Sequence, residues 1–144
     1  MKGIRQWLGK AVDCLLHKRA GQAQARSRGQ QGELWAARYL ARQGLRVLVQ
    51  NYRCKGGEID LIADDAGCIV FVEVRLRSGD TYGGAAASIT PRKQARIELA
   101  ARHWLSGPGL RYRQHPCRFD AILLAGLDAA QCTWVRAAFA GAPR

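Results

Sequence analysis

Asp60 and Glu73 are carboxylates set inside two apolar runs, Gly57-Glu-Ile-Asp-Leu-Ile-Ala63 and Ile69-Val-Phe-Val-Glu-Val-Arg75. An acid in the middle of an apolar strand carries a desolvation cost unless something offsets its charge, and a divalent metal ion can do so. Side chains alternate along a strand, so Glu58 and Asp60 share one face of the first run, while Phe71, Glu73 and Arg75 share one face of the second. Asp64-Asp65-Ala66-Gly67 joins the runs. A two-residue turn at Ala66-Gly67 pairs Asp65 with Cys68 and sets Asp60 opposite Glu73, with Cβ atoms roughly 5 Å apart. Two carboxylates so placed can ligate one ion. Moving the turn back one residue on each strand pairs Glu58 with Glu73 instead, which keeps Glu58 as a reserve ligand. A one-residue slip would send the pair to opposite faces. The same acids also suit the solvated face of an amphipathic hairpin, or ion pairs with nearby arginines, and pattern alone leaves these readings level.

The elements that must position these acids follow a regular order. Residues 30–43 carry Leu34, Ala37, Leu40 and Ala41 at helical spacing and end at Gly44, a natural C-cap. Leu45–Tyr52 is rich in β-formers, and the two acid-bearing runs follow. Thr90-Pro91 then opens a helix through Leu105, with Thr90 as N-cap and Pro91 in the first helical position, stopping near Gly107-Pro108. Arg118–Leu124 and Thr133–Phe139 have the pattern of strands. The order is helix, three strands, helix, two strands. Gly79–Ser88, with Gly83-Gly84 followed by three alanines, is the longest expected loop of the body.

Composition narrows the function classes. A chain of 144 residues with 48% hydrophobic content suits one domain with a real core and excludes disorder throughout. Lys plus Arg outnumber Asp plus Glu by 23 to 11, a net charge of +12 that favours polyanionic partners such as nucleic acid or an anionic membrane. Against that basic background the grouped acids Glu58, Asp60 and Glu73 stand out. Cys14, Cys54, Cys68, Cys117 and Cys132 form no C-x-x-C pair and are odd in number, which suits neither a zinc site nor a disulfide framework and fits a reducing cytoplasm. His17, His103 and His115 have no metal-ligand spacing and receive no catalytic role.

No stretch approaches the roughly 20 apolar residues of a membrane span. Residues 1–28 form a basic N-terminal extension, helical or disordered, that carries half of the net charge. In it Ile4, Trp7, Leu8, Val12, Leu15 and Leu16 recur at helical spacing, while Asp13 and the shortness of the apolar segments argue against a secretory signal. The extension reads as a tail, a short docking helix, or a contact to nucleic acid or a membrane surface.

These residues carry a resemblance. Glu33 in the first helix, Asp60, and Glu73-Val74-Arg75 together resemble the PD-(D/E)XK nuclease superfamily. More closely, Gly32-Glu33-x5-Tyr39-Leu40, Asn51-Tyr52-Arg53, Gly57-Glu-Ile-Asp-Leu-Ile-Ala63, Phe71-Val-Glu-Val-Arg75, Gly83-Gly84-x3-Ser88-Ile89, Lys93-Gln94 and Arg118-Phe119-Asp120 look like the YraN family. Those bacterial proteins are similar to Holliday-junction resolvases. The resemblance covers roughly residues 29–124 and leaves the extension outside it. It implies an α/β fold, a mixed central β-sheet flanked by helices in the order αβββαββ, with the endonuclease-like domain at residues 29–144.

Carried over residue by residue, Glu33 matches the helix acid, Asp60 the central metal-binding acid and Glu73 the second strand acid. Glu33 also shares the inward face of its helix with Ala36, Ala37 and Leu40, although a first-turn acid also suits the helix dipole. The implied chemistry is phosphodiester hydrolysis with Mg²⁺ or Mn²⁺, in which Asp60, Glu73 and Glu33 hold the ion. Clustered carboxylates raise one another's pKa values without metal, so metal affinity should fall at acid pH. Arg75 stands where the superfamily usually has Lys. It keeps its proton at any working pH, so it can stabilise charge but cannot take a proton from water. Basic residues flanking the motifs, Arg53, Lys55, Arg77, Arg92 and Lys93, are the candidates for phosphate contact. Asp120 and Gln94 border the site in this reading, with a salt bridge to Arg118 or Arg53 as the alternative for Asp120.

Three function classes follow: a structure-selective nuclease, a catalytically silent nucleic-acid-binding module, and an adaptor that docks on a partner or a membrane through residues 4–16. Symmetric cleavage of a two-fold junction requires two sites, which favours a homodimer.

Overall fold

The structure is a computed structural model that describes residues 28–76 and 89–141. The chain divides into two compact units, Met1–Gln31 and Gly32–Arg144, and the account below concerns the second. The extension, Arg77, the expected loop at Gly79–Ser88, Cys14 and His17 lie outside the described residues.

Helix α1 runs through residues 28–42. Gly44 ends it with φ +92, where Gly44 N–H donates to Ala41 O and Leu45 N–H to Leu40 O, each at 3.1 Å. That is the paired-bond stop for which a left-handed glycine is favoured. Ala36, Ala37 and Leu40 are buried, whereas Leu34 is 45% exposed. At about 100° per residue Leu34 lies well round the helix from the stripe that Ala36, Ala37 and Leu40 define, so it falls off the inward face. Ala41 is exposed for the same reason.

Strands β1 (Arg46–Cys54), β2 (Gly57–Asp65) and β3 (Cys68–Leu76) form an antiparallel meander. Helix α2 (Pro91–Leu105) is capped by Thr90, whose side chain accepts from Lys93 N–H. It returns the chain to β4 (Cys117–Leu124), which pairs parallel with β3, and β5 (Cys132–Phe139) closes the far edge antiparallel to β4. The five strands lie in sequence order in one mixed sheet. The α/β architecture and its αβββαββ order thus match the expectation. The observed β1 starts one residue later and ends two residues later than the sequence pattern suggests.

Alternation along β3 divides the core. Val70 and Val72 pack in a cluster with Ala36, Ala37 and Leu40 of α1, while Ile69 and Phe71 pack with Ile97, Ala100, Ala101 and Trp104 of α2. Because successive side chains point to opposite faces, the two helices cover opposite faces of the sheet. Gly57 admits α2 closely: a Cβ there would lie 2.4 Å from the Arg96 carbonyl oxygen.

Candidate functional site

The β2–β3 turn sets the register of the acids. Ala66 and Gly67 have φ of 48° and 93°, the two positive values of a type I′ hairpin turn, and Gly67 N–H donates to Asp64 Oδ1 at 2.7 Å. The pairs Asp65 with Cys68 through Leu61 with Val72 follow, in the register expected from the sequence. Continued one step, it sets Asp60 against Glu73. There the ladder gives way to a side-chain bond: Val74 N–H donates to Asp60 Oδ2 at 2.8 Å. This bond leaves the Asp60 carboxylate aimed at the Glu73-Val74 backbone, next to the Glu73 side chain.

Burial dominates the electrostatics of the pair. Glu73 is 5% exposed, and desolvation, then the neighbouring Asp60 charge, push its carboxyl up from 4.5 to about 7. Desolvation also raises Asp60, against the Val74 hydrogen bond and the Lys93 charge. The Glu73 Oε2 atom is buried with no hydrogen-bond partner. A buried carboxylate oxygen without a donor is costly, and a cation would relieve it.

Glu33 joins this neighbourhood from α1. Its pKa is raised by burial, lowered by a hydrogen bond from the Asn51 side chain, and raised again by the charges of Asp60 and Glu58. Asn51 holds a left-handed backbone, φ 53, inside β1, a conformation that asparagine tolerates better than most residues. The sequence motif Asn51-Tyr52-Arg53 marked this place without giving Asn51 a role. Charge thus links the four acids Glu33, Glu58, Asp60 and Glu73.

Two cations serve the centre. Lys93 Nζ lies 3.0 Å from Glu58 Oε1 and 3.5 Å from Glu73 Oε1. Burial opposes its charge, but Glu58, Glu73 and Asp60 outweigh burial and lift its pKa above the ordinary lysine value. The Lys93 hydrogen bond is in turn the main cause that lowers Glu58. Arg75 Nε stands 3.6 Å from Glu73 Oε1, too far for a hydrogen bond, and among the described residues this Nε atom has no hydrogen-bond partner. Arg53 acts on both Glu33 and Glu58 by its charge, while Lys55 and Arg92 are exposed. Lys93 therefore sits among the acids themselves. One signal for this was legible: the first turn of α2 holds no acid and two cations, an arrangement opposed by the helix dipole that calls for nearby partners.

The donor set fits a hard divalent cation. Asp60 and Glu73 offer anionic oxygens, and Glu73 has one with no donor. Among the described residues no group of three acids, histidines or cysteines stands ready to enclose an ion. Mg²⁺ commonly uses one or two protein carboxylates and completes its shell with water and substrate phosphate, so two acids suffice.

Asp120 and Gln94 do different work. Asp120 is fully buried and accepts from Arg118 Nε at 3.1 Å, Trp134 Nε1 at 3.0 Å and Ala137 N–H at 2.9 Å. The salt bridge to Arg118 is the reading that holds. Gln94 Nε2 donates to Ile89 O at 2.9 Å and secures the entry to α2. A cavity of about 580 Å³, lined in part by Phe71, Ala101, Leu105, Phe119 and Phe139, includes none of the four acids in its lining. Polar convergence, and not cavity size, locates the site.

Known proteins match this chain closely. A UPF0102 protein of Nitrosomonas europaea is 49% identical over 115 residues, covering 80% of this chain and 95% of its own. One from Methylobacillus flagellatus is 50% identical over 111 residues, covering 77% and 95%, and one from Cupriavidus taiwanensis is 54% identical over 115 residues, covering 78% and 82%. The model of the family described as "Uncharacterised protein family UPF0102" matches residues 32–124, a span that contains all four acids and both central cations. The chain belongs to this family, the YraN family of the sequence resemblance.

Proposed function

We propose that the protein is a metal-dependent endonuclease that hydrolyses phosphodiester bonds in DNA, with branched DNA such as a four-way junction as its substrate class. The observation that carries this reading is the Asp60–Glu73 pair, with Glu73 buried, pushed up to about 7 and left with one oxygen lacking a donor, in a chain of net charge +12. An anionic pocket inside a basic protein is what cleavage of a polyanion requires: attraction over the surface and cation binding at one point.

Asp60 and Glu73 would hold Mg²⁺ or Mn²⁺, with Glu33 beside them; when bound, such an ion activates water and neutralises charge at phosphorus. The Val74 N–H bond fixes the Asp60 carboxylate, and Asn51 steadies Glu33. Arg75 keeps its proton, so its part is limited to adding positive charge beside Glu73. Arg53, Lys55 and Arg92 suit contact with the phosphate backbone, which would make binding salt-dependent. A homodimer would supply the two sites that symmetric cutting needs. Cys54, Cys68 and Cys132 stand outside any disulfide, which suits a reducing compartment.

Arg75 in place of lysine favours one second reading, a nucleic-acid-binding module that retains the acids without cutting. Labelled four-way junction, flap, single-stranded and duplex DNA, incubated with Mg²⁺, Mn²⁺ or EDTA, separates the two. Metal-dependent products from the wild type and none from Asp60→Asn support the nuclease. Binding by both proteins with no product from either leaves the binding module.

A further inference from the structure

We infer that Lys93 is the catalytic cation of this centre, the group whose ammonium contacts the scissile phosphate, with Arg75 a secondary neighbour. The inference rests on the nuclease reading of the same acids and deepens it.

Geometry separates the two cations. Lys93 Nζ bridges Glu58 Oε1 and Glu73 Oε1 at 3.0 and 3.5 Å, and its side chain is 19% exposed. Among the described residues Arg75 pairs with Glu73, at 3.6 Å, and is 38% exposed. An ammonium has three donors. One is given to Glu58 at 3.0 Å and Glu73 lies at ion-pair distance, 3.5 Å, so the ammonium can turn a donor to an oxygen of a substrate drawn to the same acids. Arg75 by contrast offers Glu73 its Nε beyond hydrogen-bond range.

The position of Lys93 on its helix adds to this. Thr90 accepts its N–H at 3.2 Å and Pro91 precedes it, so Lys93 occupies the first turn of a 15-residue helix. The positive end of the helix dipole attracts phosphate there. Gly57, which lets α2 approach β2, brings this turn against the strand that carries Glu58 and Asp60. A cation in a first turn is disfavoured within the helix alone. Here Glu58 and Glu73, on the sheet layer, hold it in place.

In the step itself water adds to phosphorus and the P–O ester bond breaks. One proton of the water ends on the departing alkoxide and the other passes to solvent. Lys93 keeps its own proton throughout and acts on the negative charge of the non-bridging oxygens as it grows, the role in which a positioned donor accelerates reaction.

Single-turnover cleavage of junction DNA at saturating protein tests this with wild type, Lys93→Met, Lys93→Arg and Arg75→Met, alongside junction affinity by anisotropy and Mn²⁺ binding by calorimetry. Lys93→Met is expected to slow cleavage by about 100-fold or more, the usual loss of one charge-stabilising donor. Its Mn²⁺ binding should be unchanged or tighter, since a cation beside Glu73 has gone, and Lys93→Arg should recover part of the rate. Arg75→Met should lose less than Lys93→Met. Cleavage by Lys93→Met within about threefold of wild type, where at least 100-fold loss is expected, overturns the assignment while the nuclease reading stands. So does loss of Mn²⁺ binding in that variant, which would make Lys93 a scaffold for the carboxylates. A wild type that does not cut overturns the nuclease reading, and this assignment with it.

Discussion

Without metal, Glu73 makes the protein less stable as pH rises through neutrality. The sign follows from proton counting: between 4.5 and about 7 the folded state holds the Glu73 proton and the unfolded state has released it, so raising pH favours unfolding. The interval spans roughly 2.5 pH units, which at about 1.4 kcal/mol each gives about 3 kcal/mol in full. Between pH 5 and pH 8 about 2–3 kcal/mol of this is seen, because part of the unfolded Glu73 is still protonated at pH 5. Asp60 and Glu33, also raised, act in the same sense. Glu58 and Asp64 are held below their ordinary values, so their stabilisation is lost only as pH falls further and lies outside this window. Urea unfolding in EDTA at pH 5 and pH 8 measures the effect. Wild type should lose about 2–3 kcal/mol across that range, whereas Glu73→Gln should lose less and exceed wild type at pH 8 by about 3 kcal/mol. Saturating Mn²⁺ at pH 8 should restore wild type and help the variant less. A flat wild-type profile, with Glu73→Gln no more stable at pH 8, would refute the burial argument on which the metal site rests.

Three further substitutions test the frame around the acids. Gly57→Ala drives a methyl against the Arg96 carbonyl and should cost about 1–3 kcal/mol by overpacking; unchanged stability in urea would mean that α2 is not seated closely on β2. Asn51→Ala places alanine at φ 53 and removes the donor to Glu33, so stability should fall by about 1 kcal/mol and the Glu33 carboxyl should titrate higher by NMR, whereas Asn51→Gly should reproduce only the second effect. Asp120→Ala leaves Arg118, Trp134 Nε1 and Ala137 N–H without their shared acceptor and should lower stability by about 3–5 kcal/mol; a loss below about 1 kcal/mol in thermal unfolding would count against a structural role of that size.

The parts of this fold that could be read from sequence are those set by local rules. Thr90-Pro91 starts α2, Gly44 ends α1, and Ala66-Gly67 fixes the hairpin register that puts Asp60 beside Glu73, because each depends on a few adjacent residues and a backbone angle. Leu34 keeps helical spacing yet is exposed, because apolar spacing does not say which edge of a helix stripe meets the sheet. Asp120 had equal claims in sequence as a site residue and as an ion-pair partner; only the closing of β4, β5 and Arg118 around it decided between them.

The cations of the site were less legible than its acids, and the reason is physical. A carboxylate in an apolar strand violates burial rules and is conspicuous in one dimension, whereas a lysine in a helix looks like any solvated surface charge. Lys93 becomes distinctive only when α2 lies across β2, a contact that Gly57 permits and that no local pattern encodes. The same reasoning limits what the superfamily pattern can say about Arg75. That pattern places the cation two residues after Glu73 on the same strand, but the charge beside a reacting phosphate needs only the right position in space. The helix layer supplies one, 3.5 Å from Glu73, so arginine at position 75 is not by itself a sign of lost chemistry.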